Sequence, residues 1–334
     1  MLPKISILIP TLNEENFIED CVESLLCDSY PIGQIEVLII DGGSSDRTLE
    51  KVKNLQRRFE QIQCFTNPLK IVPSALNIGI QQASNPIIVW CGSHALYGKD
   101  YLKNSVNTLL SNPNCASAGG VITPIAKTST GKAIAIATSH KFGIGNALYR
   151  YATGRAEVDT VFGGCFYKSS VITIGGFNEE WVRNQDYEFN FRLRKMVGKV
   201  ILDPSIQCQY YCRESITKLS RQYYSYGFWR FRTLLKHPQS LTLRQTAPIL
   251  LINGLISSLV ALICGYQIGF LLPFVYGLAN IIVSLFISFK QKQAMLLLRL
   301  PLIFATIHLS WGAGFMISAI KIGYNKMVKL INQS

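Results

Sequence analysis

Short apolar runs alternate with amphipathic stretches along residues 1–204. Ile5–Ile9 is an apolar run stopped by Pro10 and predicts a central strand. From Asn16 to Leu26, the residues Phe17, Ile18, Cys21, Val22, Leu25 and Leu26 fall at helical spacing and predict a helix with one face on a sheet. Val37–Ile40 and Ile62–Phe65 predict the second and third strands, separated by a helix through Leu55. Pro73–Gln81 reads as a helix with Pro73 in its first turn, and Pro86–Trp90 as a fourth strand. This alternation predicts a mostly parallel sheet with helices on both faces. Beyond residue 90 the pattern loosens. A helix is expected over Tyr101–Leu110 and a strand over Ala116–Val121. Residues 123–160 form a long excursion with a helix near Ile134–Thr138, of the kind that serves as a lid or binding surface. Phe162–Tyr167 predicts a strand, Ser170–Ile174 a short helix and Asp186–Met196 an amphipathic one. Val200–Leu202 reads as a last strand closed by Asp203-Pro204.

The C-terminal third has a different texture. Ser215–Lys236 mixes Arg221, Arg230, Arg232 and Lys236 with Tyr223, Tyr224, Tyr226, Phe228, Trp229 and Phe231, which suits a helix lying in the headgroup plane. Uncharged apolar runs follow over residues 247–263 and 268–289, each near the roughly 20 residues needed to cross a bilayer. Lys290 and Lys292 come next. With the basic stretch before residue 245, they place both ends of this hairpin on the cytoplasmic side. A third apolar segment, 294–320, contains His308, costly in lipid unless paired. If it crosses, Lys321, Lys326 and Lys329 lie outside, against the charge rule; otherwise it is re-entrant.

Charge sharpens this division. Of 20 acids only Glu214 lies beyond residue 204, so nearly all of the formal net charge of +13 belongs to the C-terminal part. A basic segment interleaved with long apolar runs points to membrane lipids as partner rather than to nucleic acid. The 9 cysteines form no paired metal set: Cys208 and Cys212 lack a second pair, and Cys21, Cys27, Cys64, Cys115 and Cys165 read as buried thiols. Residues 2–10 run straight into a polar turn, as a first core strand does and a signal peptide does not.

The chemistry gathers at strand ends. Asp41-Gly42-Gly43-Ser44-Ser45-Asp46-Arg47-Thr48 follows the second strand, where an open α/β sheet binds its ligands. The tract has the spacing of neither G-x-G-x-x-G nor the Lys-containing phosphate loop. Glu15 follows the first strand, His94 the fourth, and Asp186 and Glu188 flank Tyr187 at the start of a later helix. Taken singly, Glu15 and Asp41 could equally be helix caps. There is no G-x-S-x-G elbow, and 4 histidines restrict metalloenzyme schemes.

The ordered set of Ser6–Glu15, Asp41–Thr48, Ala75–Gly79, Phe162–Cys165, Gly176–Glu179 and Asn184–Glu188 resembles the inverting glycosyltransferases of family 2, over roughly residues 3–210. With its apolar C-terminal segments it looks most like the membrane-associated succinoglycan-type exopolysaccharide subgroup. The resemblance implies an α/β GT-A nucleotide-diphospho-sugar transferase fold followed by a C-terminal transmembrane helical region. Three parts are implied: a GT-A domain over 1–212, an interfacial helical segment over 213–245, and a membrane region over 246–334. It also implies that Pro10, Thr11, Asn13, Glu15, Asp41, Gly43, Ser44, Asn77 and His94 bind a UDP-sugar donor, Asp41 at the uracil. Asp186 would be the general base, with Glu188 beside it. Gly163, Gly164, Cys165 and Gln222 would meet a lipid-linked saccharide or polysaccharide acceptor. Gln222 lies where processive relatives carry Q-x-x-R-W, but that spacing is absent here. The expected setting is the cytoplasmic (inner) membrane, multi-pass, with the catalytic domain cytoplasmic and a polysaccharide assembly complex as a further partner.

One departure bears on the cofactor. The D-x-H motif that holds Mg2+ or Mn2+ in this subgroup reads Gly92-Ser93-His94 here. The cation is then held mainly by the diphosphate with His94 assisting, or His94 meets phosphate directly, or no metal is used. The loss also admits an alternative, a non-catalytic nucleotide-sugar-binding subunit. A transporter component built on the apolar segments is disfavoured by the absence of a repeat.

Overall fold

A computed structural model describes the backbone of residues 2–331, and their side chains apart from those of 243, 244 and 325–331, so Lys326 and Lys329 lie outside the described side chains. In chain order the elements begin β1 (Ile5–Thr11), α1 (Ile18–Leu26), β2 (Ile35–Asp41), α2 (Thr48–Arg58), β3 (Ile62–Thr66), α3 (Val72–Gln82), β4 (Ile87–Trp90) and β5 (Ala95–Tyr97). They continue α4 (Tyr101–Ser111), β6 (Cys115–Ile125), α5 (Ser129–Ala137), α6 (Lys141–Ile144), β7 (Ala156–Glu157), β8 (Gly164–Tyr167), α7 (Lys168–Thr173), α8 (Gln185–Met196) and β9 (Lys199–Tyr211). Four long helices close the chain: α9 (Ile216–Lys236), α10 (Leu243–Ile263), α11 (Leu271–Lys290) and α12 (Met295–Ile331). The chain forms two compact units, one of the residues up to Thr123 with Leu148–Tyr211, the other of Pro124–Ala147 with Cys212 onward.

In the first unit the sheet runs β3-β2-β1-β4-β8-β6-β9-β5, with β7 pairing β9. The pairs β1·β2, β1·β4 and β2·β3 are parallel. The pairs β4·β8, β6·β8, β5·β9 and β7·β9 are antiparallel. Parallel pairing therefore follows the regular strand–helix alternation of residues 5–90 and ends with it. The parallel strands bury both faces, which is why they read as unbroken apolar runs: Ile7, Leu8 and Ile9 of β1 and Leu38, Ile39 and Ile40 of β2 have no exposed surface. The helices dock Val22 and Leu25, Val52 and Leu55, and Leu76 and Ile80 against this sheet. The sequence expectation of 16–26 for the first helix shortens by two residues, since Phe17 takes its N-cap position.

Strand β9 runs on through Pro204 to Tyr211, past the stop that Asp203-Pro204 signals. Asp203 explains it. Its carboxylate accepts from the backbone N–H and hydroxyl of Ser205 at 2.9 and 2.8 Å, from Thr108 Oγ1 at 3.0 Å and from Arg155 Nε at 2.9 Å. These bonds brace the strand on both sides of Pro204, which itself offers no backbone donor. Burial works against the charge, but the Ser205, Arg155 and Thr108 bonds outweigh it and hold the carboxyl down to about 2. Of the thiols expected to be buried, Cys21, Cys115 and Cys165 are; Cys27 is exposed and Cys64 half-buried.

The second unit gathers the excursion and the C-terminal helices. Its α5 and α6 pair with α12: Phe142 packs edge-on against Phe304 at 5.0 Å. His308 is paired, with Nε2 2.7 Å from the Phe142 carbonyl and Nδ1 2.9 Å from the Tyr276 hydroxyl. This answers the cost that an unpaired imidazole would carry. Helices α10, α11 and α12 contain stretches long and apolar enough to cross a membrane, over Gln245–Ile263, Gln267–Lys290 and Met295–Tyr324.

Asp203→Asn tests this bracing of β9. The depressed carboxyl contributes stability that is present above its unfolded pKa near 4 and lost as pH falls towards 2. At neutral pH the substitution is expected to cost about 2 kcal/mol in chemical denaturation. The wild type is expected to lose the same increment between pH 4 and 2.

Candidate active site

At the carboxyl edge of the parallel strands, two loops are zipped together by side chain–backbone hydrogen bonds. Asp41, 3% exposed at the end of β2, accepts from the backbone N–H of Gly43 at 2.7 Å and of Ser44 at 2.9 Å, and from the Ser44 hydroxyl at 2.5 Å. The Ser44 Oγ in turn accepts from Asn13 N at 2.8 Å, and Asn13 Oδ1 accepts from Ser45 N at 2.8 Å. Asn13 takes a left-handed conformation, φ 55°, which asparagine tolerates. Next along, Glu14 N donates to Thr48 Oγ1 at 2.8 Å and Glu15 N to Asp46 at 3.2 Å. Arg47 N donates back to Glu15 at 3.0 Å, and Thr48 N to Asp46 at 3.0 Å.

This wiring has a consequence for phosphate. The N–H groups of Arg47 and Thr48, which open α2, are taken by the carboxylates of Glu15 and Asp46. A helix start capped by two acids repels a diphosphate. Any diphosphate must therefore seek charge elsewhere on this edge. Lys70 is suitably placed: it adopts φ 57°, and its Nζ would lie 3.7 Å from a Cβ on Gly43.

His94, between β4 and β5, lies with Nδ1 3.2 Å from Glu14 Oε1. Among the described residues no group of three His, Cys, Asp or Glu side chains could hold a metal ion. Two donors do not fit a hard divalent cation, which takes six or more mostly oxygen ligands. The residue two before His94 is Gly92, whose amide bonds the Tyr97 hydroxyl at 2.6 Å.

Asp186 sits in the first turn of α8, half-buried, after Asn184 in a left-handed conformation, φ 57°. Burial pushes its carboxyl above the usual range, and the charge of Asp159 adds to this; a bond from Tyr187 N at 2.9 Å to Oδ1 opposes it. Glu188 points the other way. It is 1% exposed and grips Arg192 through two bonds of 2.8 Å, while Arg192 also donates to the Ile174 carbonyl at 2.7 Å. Glu188 thus anchors α8 rather than facing the crevice.

Other expected residues divide likewise. Thr11 is buried, its hydroxyl bonding the Ile9 carbonyl at 3.0 Å, and Pro10 forms part of β1 beside Ile40. Asn77 spends its amide on the 177–179 loop: Nδ2 bonds the Phe177 carbonyl and Glu179 at 2.9 Å each, and Oδ1 accepts from Phe177 N at 2.8 Å. Gly163, φ 65°, is needed because a Cβ there would collide with the Trp90 carbonyl oxygen; Gly164 follows it into β8. Cys165 has no exposed surface and pairs with Val89 and Ala118, so it packs the sheet and meets no acceptor. Gln222 lies on α9, in the other unit, bonded to the Tyr226 hydroxyl at 2.8 Å. Sequence reasoning missed Glu14, Lys70 and Asp159. Glu14 lay inside the Asn13-Glu14-Glu15 stretch, and the Asn67-Pro68-Leu69-Lys70 turn was a signal for Lys70.

A sheet whose parallel half presents such an edge and is extended by antiparallel strands has the architecture of the GT-A sugar transferases. Residues 6–174 match the family described as Glycosyl transferase family 2. The chain is 30% identical over 325 residues to a dolichyl N-acetyl-α-D-glucosaminyl phosphate 3-β-D-2,3-diacetamido-2,3-dideoxy-β-D-glucuronosyltransferase of Methanococcus voltae, covering 95% of this chain and 97% of that one. It is 27% identical over 259 residues to the succinoglycan biosynthesis protein ExoA of Rhizobium meliloti, covering 77% and 78%. Among solved structures, the mannosyltransferase PcManGT of Pyrobaculum calidifontis, in complex with GDP-Man and Mn2+, superposes with TM-score 0.64 at 18% identity, covering 93% of this chain and 88% of that one. The chain belongs to glycosyltransferase family 2 and is a glycosyltransferase.

Calorimetric titration of Mn2+ into the nucleotide-free protein is expected to give no saturable heat in the micromolar range. A one-to-one isotherm that His94→Ala abolishes would show that His94 and Glu14 suffice to hold the ion.

Proposed function

We propose that the protein transfers a sugar, with inversion, from a UDP-sugar to a hydroxyl of a lipid-linked saccharide at a membrane surface. The observation that carries the reaction is Asp186: half-buried in the first turn of α8, with its carboxyl raised by burial and by the charge of Asp159. A base so placed takes the acceptor proton as that oxygen attacks the anomeric carbon. The new O–C1 bond forms while the C1–O bond to the diphosphate breaks on the opposite face, and UDP leaves with the electron pair. Glu188 and Arg192 fix the helix that presents the base, as positioning residues. We assign the diphosphate charge to His94, beside Glu14, and to Lys70, beside Gly43. We assign the uracil to Asp41 at the end of β2, whose carboxylate can accept the imide N–H.

The acceptor reading is supported by the relative that aligns along 95% of this chain, whose name specifies a dolichyl-phosphate-linked sugar. Three apolar helices suit an acceptor whose lipid stays in the bilayer. The corresponding location is the cytoplasmic membrane, with the transferase unit on the cytoplasmic face. A divalent cation, where used, would depend on the diphosphate for most of its ligands.

Asp186→Asn is expected to lower kcat for transfer by roughly 10²–10⁴-fold with UDP affinity unchanged. The acid limb of wild-type kcat/KM is expected above the ordinary carboxylate range, because the base works only once deprotonated. A carboxyl raised in the fold favours folding below its unfolded pKa and loses that contribution as pH rises through the folded one. The Asn variant is therefore expected to melt higher than wild type at pH 7. Full transfer by the variant, or loss of UDP binding, would remove Asp186 from the role of base.

A further inference from the structure

Gly92 stands where the D-x-H pattern has its acid, and the residues around it show what fills that place. We infer that the site holds the donor diphosphate without a divalent cation, and that Arg150 supplies the missing positive charge beside His94; this rests on the UDP-sugar reading proposed above.

An aromatic ring closes the space for an acid. A Cβ on Gly92 would lie 3.3 Å from Phe162 Cζ, so a carboxylate at this position would have to project against the ring. The backbone here is pinned as well. The Tyr97 hydroxyl meets Gly92 N at 2.6 Å and the Gly92 carbonyl at 3.1 Å, and Tyr97 itself is buried. Among the described residues this leaves His94 with Glu14, a set too small for a hard cation.

The same ring leads to a cation. Phe162 and His94 both lie against Tyr210, with ring centroids 6.4 and 6.5 Å away. The sheet fixes Tyr210 there: it pairs with Ala95, next to His94, and Tyr211 N bonds the His94 carbonyl at 3.3 Å. Over the Tyr210 ring, 4.7 Å from its centroid, sits the Arg150 guanidinium, which also lies 5.4 Å from the Tyr149 ring. Stacking on an aromatic face holds the plane of a guanidinium while its N–H groups point outwards along that plane, the geometry that grips a phosphate bidentately. The turn that carries Arg150 is built into the first unit. Leu148 and Tyr149 pack on Val158, Val161, Val200 and Leu202, and Tyr151 N and Ala152 N bond the Leu148 carbonyl at 3.0 and 2.9 Å. An arginine held in advance costs little further ordering when its ligand arrives.

The exchange conserves charge. A carboxylate with a divalent cation brings one net positive charge to the diphosphate, and a glycine with a guanidinium brings the same. As the bond to the sugar breaks, negative charge grows on the departing UDP. A guanidinium bonded to its phosphate oxygens stabilises that charge, and no proton has to move.

The test needs neither the sugar nor the acceptor. UDP and uridine are each titrated calorimetrically, in EDTA and in Mn2+, into the detergent-solubilised chain and its Arg150→Ala and Arg150→Lys variants. The wild type is expected to bind UDP equally in both buffers. Arg150→Ala is expected to weaken UDP roughly 10–100-fold and to leave uridine unchanged, which also reports an intact fold. Arg150→Lys is expected to recover part of the loss, since its point charge lacks the planar fork. Equal UDP affinity in the wild type and Arg150→Ala would overturn the assignment and leave Arg150 to an acceptor phosphate or to packing. Loss of uridine together with UDP in both variants would overturn it too, since Arg150 would then hold the fold. Wild-type UDP binding that requires Mn2+ would overturn the metal-free site. A wild type that binds no UDP in either buffer would remove the UDP-sugar reading itself, and this assignment with it.

Discussion

The capture of three donors by the Asp41 carboxylate is the constraint from which the crevice follows. It turns the chain sharply at the end of β2, and the turn presents Ser44 to Asn13 and Ser45 to the Asn13 amide. That locks the loop after β1 to the loop after β2. The same zipper commits the donors that open α2 to Glu15 and Asp46. Anion binding at a helix start, the usual answer of α/β folds to phosphate, is closed here by the protein's own acids. On the proposed reading, charge for a diphosphate comes from side chains rather than from this helix start, and Lys70 and His94 are the ones assigned to it.

Much of this was legible in the sequence because the parallel strands are buried on both faces and their helices are regular. Apolar runs of four or five residues ended by a polar turn then have one reading. The acids at the strand ends were visible for the same reason. Two kinds of information were hidden. Partner choice was one: nothing in the string says that Asn77 is consumed by the 177–179 loop, or that Cys165 faces Ala118 within the sheet. Local compensation was the other. Asp203-Pro204 looks like a strand terminator until the Ser205, Thr108 and Arg155 bonds are known. The excursion over 123–160 was equally opaque, since α5 and α6 take their packing from α12, more than a hundred residues later in the chain.

Helix α12 is held from several sides within the second unit. Gly227 and Gly314 bring α9 and α12 into backbone contact. Pairing of His308 by Tyr276 and the Phe142 carbonyl ties α11 and α12 to the α6 segment. Much of its apolar sequence therefore serves internal packing.

Asp186 and Glu188 illustrate how helix geometry assigns different work to neighbouring acids. Two positions apart on an α-helix are about 200° apart around its axis, so the two carboxylates face nearly opposite ways. Glu188 points into the protein, where a buried charge persists only with a bidentate partner, and Arg192 one turn on supplies it. For Asp186 burial penalises the charged form, and the like charge of Asp159 adds to that penalty. A carboxylate so penalised has a stronger appetite for a proton than one already neutralised. The pairing that steadies α8 through Glu188 thus holds a first turn that carries an acid of raised proton affinity, which is why the proposed base is Asp186 and not Glu188.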